Sequence, residues 1–391
     1  MLWRPFRAVL CVAALGAALI IAIGGSVTDS AMPLTTAVRA PRPVIDGQIR
    51  PGEWDQAAAI VGLSVLGQAS LPMHPATAWI TYDDTSIYIA ARSRFPAGAR
   101  PKATPRAHDG QVWEDDAIEM FIDATHGHGT YYQFIGNSAG TTWESQKLDG
   151  AWGCDWTYRA SVADDHWDAE MAIPFAALGV TLRDGDVWGF NVAHDCHTPA
   201  SEISTWAPVQ NGLHEPERFG HLRFQSNGPS LQVTDFRVDG AAAAVGIAGR
   251  LLSPAEPLNL HATLARRTAA GEEHIADAPK AFERGAHDFS LTLPLPTSQD
   301  GAVVPGDYRV ICDASAAGGA TVARSPAAVS IPPPLALTVR KYFLSGMIEV
   351  QATANCLPGT QWPEQLNVQF GVCRRGVAAP LRNTKRPAAP G

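Results

Sequence analysis

Between residues 44 and 225, short runs in which apolar and polar residues alternate are each broken by Gly, Asp, Asn or Pro. A period of two sends successive side chains to opposite faces of an extended chain, so each run predicts a strand with one buried face. The clearest are ATAWITYD, SIYIAARSRF, AIEMFIDA, TYYQFIGN, TTWESQKL, TYRASVAD, HWDAEMAIP, VWGFNVAHD and GHLRFQ. YDDTS joins the first two as a hairpin turn, through Asp83, Asp84 and small polar residues. Only IPFAALG reads as helical, for one or two turns ending at Gly179. The succession predicts an all-β fold, an antiparallel β-sandwich over residues 43–227.

QSNGPS at 225–230 closes that pattern and the texture changes. Residues 228–333 lose the tryptophans and carry LQVTDFRVDG, LNLHATLARR, HDFSLTLPL and GDYRVICDAS, which predict an immunoglobulin-like β-sandwich serving as a spacer. IPPPLAL follows as a stiff junction. LALTVRKYFL, GMIEVQATAN and QLNVQFGVCR then predict a partial β domain or hairpin over 334–375, and the tail 376–391 has too few apolar residues to pack.

At the other end, Arg4 and Arg7 precede the uncharged run AVLCVAALGAALIIAIGGSV, the order of a secretory signal peptide over residues 1–30. The run also approaches the roughly 20 residues that span a bilayer. A cleaved signal and an uncleaved N-terminal membrane anchor both remain open, and either makes the protein secreted or associated with the cell envelope. Residues 31–42 read as a Pro-containing linker.

Hydrophobic residues make up 46% of the 391, enough for sizeable cores. With 17% charged residues and a net charge of −8, nucleic acid is not an expected partner. Export would place Cys154, Cys196, Cys312, Cys356 and Cys373 in an oxidising compartment where they could form disulfides. Five is odd, so at least one stays free or pairs elsewhere, and Cys154–Cys196 and Cys356–Cys373, each within one proposed domain, are the pairings to test first. No Cys-x-x-Cys spacing occurs, which argues against a thiolate zinc site. Nine tryptophans, Trp54 to Trp206, fall in the first sandwich. Large rings fill sandwich cores, and they also dock sugar rings.

QVWEDDAIEMFIDA at 111–124 concentrates the chemistry. Strand alternation puts Trp113, Asp115, Ala117, Glu119, Phe121 and Asp123 on one face and Ile118, Met120 and Ile122 on the core face. Six extended residues would separate Trp113 from Glu119 by about 20 Å. The two can cooperate only if 113–116 leaves the strand and bends back.

The order of IDGQIRPGEWDQAA, YDDTSIYIAARS, WEDDAIEMFIDA, YYQFIGNSAG, WDAEMAIPFAALG, DVWGFNVAHD, STWAP and EPERFGHLRF resembles the carbohydrate-binding module family 9-like sandwiches, which are related to the dopamine-monooxygenase N-terminal-like (DOMON) domains. The resemblance covers residues 44–225. It implies a β-sandwich that binds a polysaccharide or oligosaccharide, with structural calcium and no organic cofactor. Carried over by position, Trp113 implies a stacking wall and Glu119 an acceptor for sugar hydroxyls, with Gln133 nearest to an expected basic residue. Leu213 or His214 stands where a second tryptophan wall belongs, and Trp206 is a further binding candidate. The calcium candidates are Asp83, Asp84, Asp115 and Asp116, which lack EF-hand spacing.

Two other classes compete with sugar binding. Glu119 and Glu170 could form a glycosidase pair if set about 5–10 Å apart, but no nucleophile–histidine signature accompanies them, so the chain reads as non-catalytic. It could also be the accessory module of a truncated glycoside hydrolase. Haem or electron-transfer binding, known among the DOMON relatives, would draw on Met120, His126, His128, His194 or His197.

Overall fold

The computed structural model describes residues 32–360, apart from 69, 97, 105–106, 199–200, 300, 334, 343–346 and 358–359. The signal or anchor segment, the tail 376–391, Cys373 and the run QLNVQFGVCR lie outside the described residues. No helix among the described residues is long and apolar enough to cross a membrane.

Thirteen strands build the first sandwich: β1 Leu34–Val38, β2 Ala58–Ile60, β3 Ser64–Val65, β4 Ala76–Tyr82, β5 Ser86–Arg94, β6 Ala117–Asp123, β7 Tyr132–Asn137, β8 Thr142–Gln146, β9 Thr157–Val162, β10 His166–Pro174, β11 Val187–Cys196, β12 Glu202–Thr205 and β13 Gly220–Gln225. Seven more build the second: β14 Ser230–Asp239, β15 Ala244–Ser253, β16 Leu258–Thr268, β17 Gly271–Phe282, β18 Gly285–Pro294, β19 Gly306–Ala316 and β20 Thr321–Ile331. Among the described residues β21 Leu335–Tyr342 and β22 Met347–Ala354 pair with each other, as a hairpin. All nine strands expected in the first sandwich form. IPFAALG does not become a helix; after β10 it makes turns over 175–179.

Both main sheets run through both sandwiches. One has the order β17-β16-β19-β20-β1-β13-β11-β6-β7-β8, with β12 and β3 branching from β11, and the other β18-β15-β14-β2-β4-β5-β10-β9. The second sandwich thus divides its seven strands three and four, as immunoglobulin-like sandwiches do. Residues 34–38, inside the stretch expected as a linker, are a strand running parallel to β13 and antiparallel to β20. The run LTTAV hid it, because its two threonines are buried beside Ala37 and Val38.

Two separate cores fill the sandwiches. Ile118, Met120 and Ile122 from β6 meet Ile80, Ile87, Ile89, Trp167, Met171 and Trp188 in the first. Leu260, Leu264, Leu293, Tyr308 and Val310 belong to the second. The N-terminal motif IDGQ is fixed against the outer side of β10. Glu170 Oε2 accepts from the Asp46 and Gly47 amides at 3.0 and 2.8 Å, and Oε1 accepts from Trp54 Nε1 at 3.0 Å. Gly47 has φ 85, and a Cβ there would lie 2.8 Å from the Ala160 backbone, so no other residue fits.

The described cysteines Cys154, Cys196, Cys312 and Cys356 are free thiols, which overturns the Cys154–Cys196 pairing. Cys154 packs at the edge of the first core in the loop after β8, while Cys196 ends β11 and donates to Thr198 O at 3.3 Å.

His194 points inward from β11, is 1% exposed, and places Nε2 2.8 Å from Ser93 Oγ of the facing sheet. Burial, reinforced by the neighbouring His74 and His197, lowers its pKa from 6.5 to about 4. The folded state therefore excludes a proton that the unfolded chain takes up below pH 6.5. The stabilisation is complete above pH 6.5 and is lost as the pH falls towards 4, by about 3 kcal/mol at 1.36 kcal/mol per unit. Urea unfolding of wild type and His194→Gln at pH 4, 5, 6.5 and 8 should show this extra acid sensitivity in the wild type only.

Candidate functional site

The candidate residues converge on the outer face of the β11-β6-β7-β8 sheet. Register fixes the layout: Glu119 on β6 lies opposite Ala193 of β11 on one side and Ile135 of β7 on the other. Asn191 and Asp195, two residues either side of Ala193, share that outer face, as do Gln133 on β7 and Trp143 and Ser145 on β8. Gln133 Nε2 donates to Glu119 Oε2 at 2.6 Å. Gln133 therefore sits diagonal to the acid, and the position directly opposite is the apolar Ile135.

Trp113 does leave the strand. Val112–Glu114 is a 3-10 turn, held as Glu114 N donates to Gln111 O and Asp115 N to Val112 O. Asp115 and Asp116 then turn inward: Asn137 Nδ2 donates to Asp115 Oδ2 at 3.0 Å, while Asp116 accepts from the amides of Lys102 and His197 and from Thr198 Oγ1. This returns the Trp113 ring to Trp143, at 5.5 Å and 80°, edge to face. Trp143 faces Ile135, which faces Glu119, so two strand spacings of about 4.8 Å separate Trp143 from the acid. Trp113 is 41% exposed, whereas Trp54, Trp167, Trp188 and Trp206 are buried. Trp206 packs 6.1 Å from Phe190 in the first core, which removes it from the candidate binding residues.

Leu213 and His214 do face the site, but as a cover. The loop carrying them is tied by Glu215, whose carboxylate accepts from the Gln210 and Asn211 amides at 2.8 and 3.0 Å. Leu213 packs on the small cluster of Phe121, Tyr131, Ala193, Ala207, Val209 and Phe219. The His214 ring lies edge-on 5.5 Å from Phe121, with Nδ1 2.9 Å from the Tyr131 hydroxyl. Burial lowers its pKa and the Glu119 charge opposes that shift. Beneath this cover Glu119 is only 3% exposed, buried rather than solvated.

Asp195 was not foreseen. It is 1% exposed, and among the described residues no donor reaches its carboxyl oxygens and no acceptor reaches Asn191 Nδ2; the group set against it is the Glu119 carboxylate. Burial first, and the adjacent Glu119 charge second, push its carboxyl well above the ordinary range, so it keeps its proton. One outer face thus holds two neighbouring carboxyl groups, Glu119 and the protonated Asp195, with the side-chain amides of Gln133 and Asn191, all of them buried.

The calcium candidates do not form a cage. Asp83 caps its own hairpin, accepting from the Thr85 and Ser86 amides, Thr85 Oγ1 and Tyr88 Oη. Asp84 pairs with Arg39, on the other sheet from Asp115 and Asp116. Asp83 is committed to its own turn, Asp84 to Arg39, Asp115 to Asn137 and Asp116 to three donors from two other segments, so these residues do not fit a shared six-oxygen site. Glu170 is on the outer side of the facing sheet, saturated by Trp54 and the IDGQ turn, so no glycosidase pair with Glu119 exists. The haem candidates are dispersed as well. Met120 is in the first core, His194 binds Ser93, His197 Nε2 is 3.1 Å from Trp113 O, and His126 and His128 stack together after β6.

Residues 45–227 match the family model described as carbohydrate family 9 binding domain-like. The endo-1,4-beta-xylanases A of Thermotoga maritima and Thermotoga neapolitana are each 24% identical over 187 residues, which is 46% of this chain and 17% of the relative. The match therefore spans about a sixth of those proteins. A family 9 carbohydrate-binding module from Caldicellulosiruptor kristjanssonii in complex with cellotriose is 15% identical, with a TM-score of 0.39, covering 49% of this chain and 94% of that one.

In the unfolded chain Asp195 loses its proton above pH 3.8, whereas the folded chain holds it, so this site costs stability as the pH rises past 3.8. Asp195→Asn removes the proton requirement. Thermal and urea unfolding at pH 7 should show the variant more stable than wild type by about 1–3 kcal/mol, and the gain should vanish below pH 3.8.

Proposed function

We propose, since residues 45–227 are a carbohydrate family 9 binding domain-like sandwich, that this module binds glycans on the outer face of β6, β7, β8 and β11. The observation that carries the reading is Trp113: an exposed ring, stiffened edge-on by Trp143, beside the buried set Glu119, Gln133 and Asp195. Stacking on Trp113 supplies the contact, by analogy with base stacking on aromatic platforms at about 1–3 kcal/mol per ring. With Leu213 and His214 folded onto Phe121 and Tyr131, the platform has one wall. Such a platform suits the side of a polysaccharide chain, with a dissociation constant in about the micromolar to millimolar range. The reading includes export, on the strength of Arg4, Arg7 and the apolar run after them, and no catalytic step.

The xylanase relatives favour a second reading of the same site, an accessory module that holds a glycoside-cleaving enzyme on its polymer. Titration calorimetry of the protein with cellotriose, and pull-down on insoluble cellulose and xylan, test both. Binding is expected with cellotriose or a polymer, and Trp113→Ala should weaken it about tenfold or more. Undiminished retention by Trp113→Ala would remove the platform, and no binding to any of the three would sink the glycan reading.

A further inference from the structure

We propose that His108, Asp109 and Glu144 form a site for a divalent transition-metal ion of the Zn²⁺ class. One ligand atom from each lies within 4.8 Å of the other two. His108 Nε2 is 3.4 Å from Asp109 Oδ1 and 3.4 Å from Glu144 Oε1. Ligands held at about 2.1 Å around a tetrahedral ion stand about 3.4 Å apart, a spacing that both distances from His108 already have, with the two carboxylates within 4.8 Å of each other.

Glu144 supplies the second, independent observation. It is on the inner side of the edge strand β8, opposite Phe134, and is only 3% exposed. Trp156 Nε1 donates to its Oε2 at 2.8 Å, which leaves Oε1 aimed at His108 with no hydrogen bond among the described residues. A carboxylate on a side chain this buried is costly unless positive charge faces it, and an ion held between Oε1 and His108 Nε2 would supply that charge. His108 is oriented in the way metal-bound imidazoles are: its other nitrogen, Nδ1, lies 3.0 Å from Thr142 Oγ1. The backbone agrees, since Asp109 N donates to Thr142 O at 3.1 Å and draws the 107–110 loop onto β8.

The chemistry of the donors selects the ion. Calcium takes six to eight oxygens, and two carboxylates with an imidazole do not supply them. Imidazole with carboxylate suits zinc and its first-row neighbours, and the exposed side of His108 and Asp109 leaves room for water in the remaining position. The site is separate from the Trp113 platform: Glu144 points inward while Trp143 and Ser145, either side of it, point outward.

Equilibrium dialysis of the chelator-stripped full chain against Zn²⁺ alone tests the site. One ion per chain is expected, resistant to competition by equimolar Ca²⁺, with X-ray absorption showing nitrogen and oxygen ligands only. His108→Ala and Asp109→Asn alter side chains more than half exposed, at 56% and 55%, so the fold should survive them. Each should weaken Zn²⁺ binding by about tenfold or more. His126, whose ring lies 5.2 Å from that of His128 after β6 and 4.8 Å from that of His221 on β13, centres the competing surface, and His126→Ala should bind as wild type. Absence of bound Zn²⁺, unchanged affinity in His108→Ala, or loss only in His126→Ala would each overturn the assignment.

Discussion

The five residues Leu34–Val38 decide how the rest of the chain is arranged. As β1 they hydrogen-bond in parallel along β13, from Leu34↔His221 to Val38↔Gln225, and meet β20 of the second sandwich at Leu34↔Arg324. Thr36 Oγ1 adds a bond to Val322 O at 2.7 Å. On the opposite sheet β2 meets β14 at Ala59↔Gln232, where the Gln232 side-chain amide donates to the carbonyls of Trp54, Asp55 and Ala57. Hydrogen bonding therefore crosses between the sandwiches in both layers. A spacer joined only by 225–230 could swing freely, but one that shares both sheets can move only by breaking ladder bonds and exposing their polar groups.

The same ladders make the outer face of β6 what it is. Strand register, not sequence proximity, brings Glu119, Gln133, Asn191 and Asp195 together, and the loop tied by Glu215 closes over them. That closure has a free-energy cost, since two acids share one small apolar surround and Asp195 must stay protonated to remain there. Such a cost is borne more readily where polar groups have a use than where they merely fill space. On that ground the buried acids support the binding reading even though they are not at the surface.

Much of this was legible in the sequence because period-two alternation is a direct record of the pleat. AIEMFID placed Ile118, Met120 and Ile122 in the core and Glu119 on the other face, as found. The strands that escaped notice had no such record. β1 is LTTAV, β15 is rich in Ala and Gly, and β17 carries GEEH and KAF on a largely exposed edge. Trp113 and Glu119 could be named from their motif, but not their partners. Ile135, Trp143 and Asp195 lie 16–76 residues from Glu119 along the chain, and only the register joins them. The calcium candidates misled for a related reason: short-range Asp pairs look like ligands, yet Asp83 caps a turn and Asp116 accepts from three separate donors.

What became of the second wall follows from the same packing. Where a tryptophan would face Trp113 across the acid, Leu213 finds an apolar floor in Phe121 and Ala193, and His214 finds the Tyr131 hydroxyl. A ring that stood up from this loop would have to give up both contacts. The loop therefore lies down and Glu119 is sealed. The other aromatic cannot follow, because Asp115 and Asp116 anchor its turn from below and Trp143 holds the ring from the side. An asymmetric face results, with a rigid exposed ring at one end and a flat apolar cover at the other. A chain end gripped from both sides needs two rings; the side of a long polymer needs only one, repeated contact by contact along a surface.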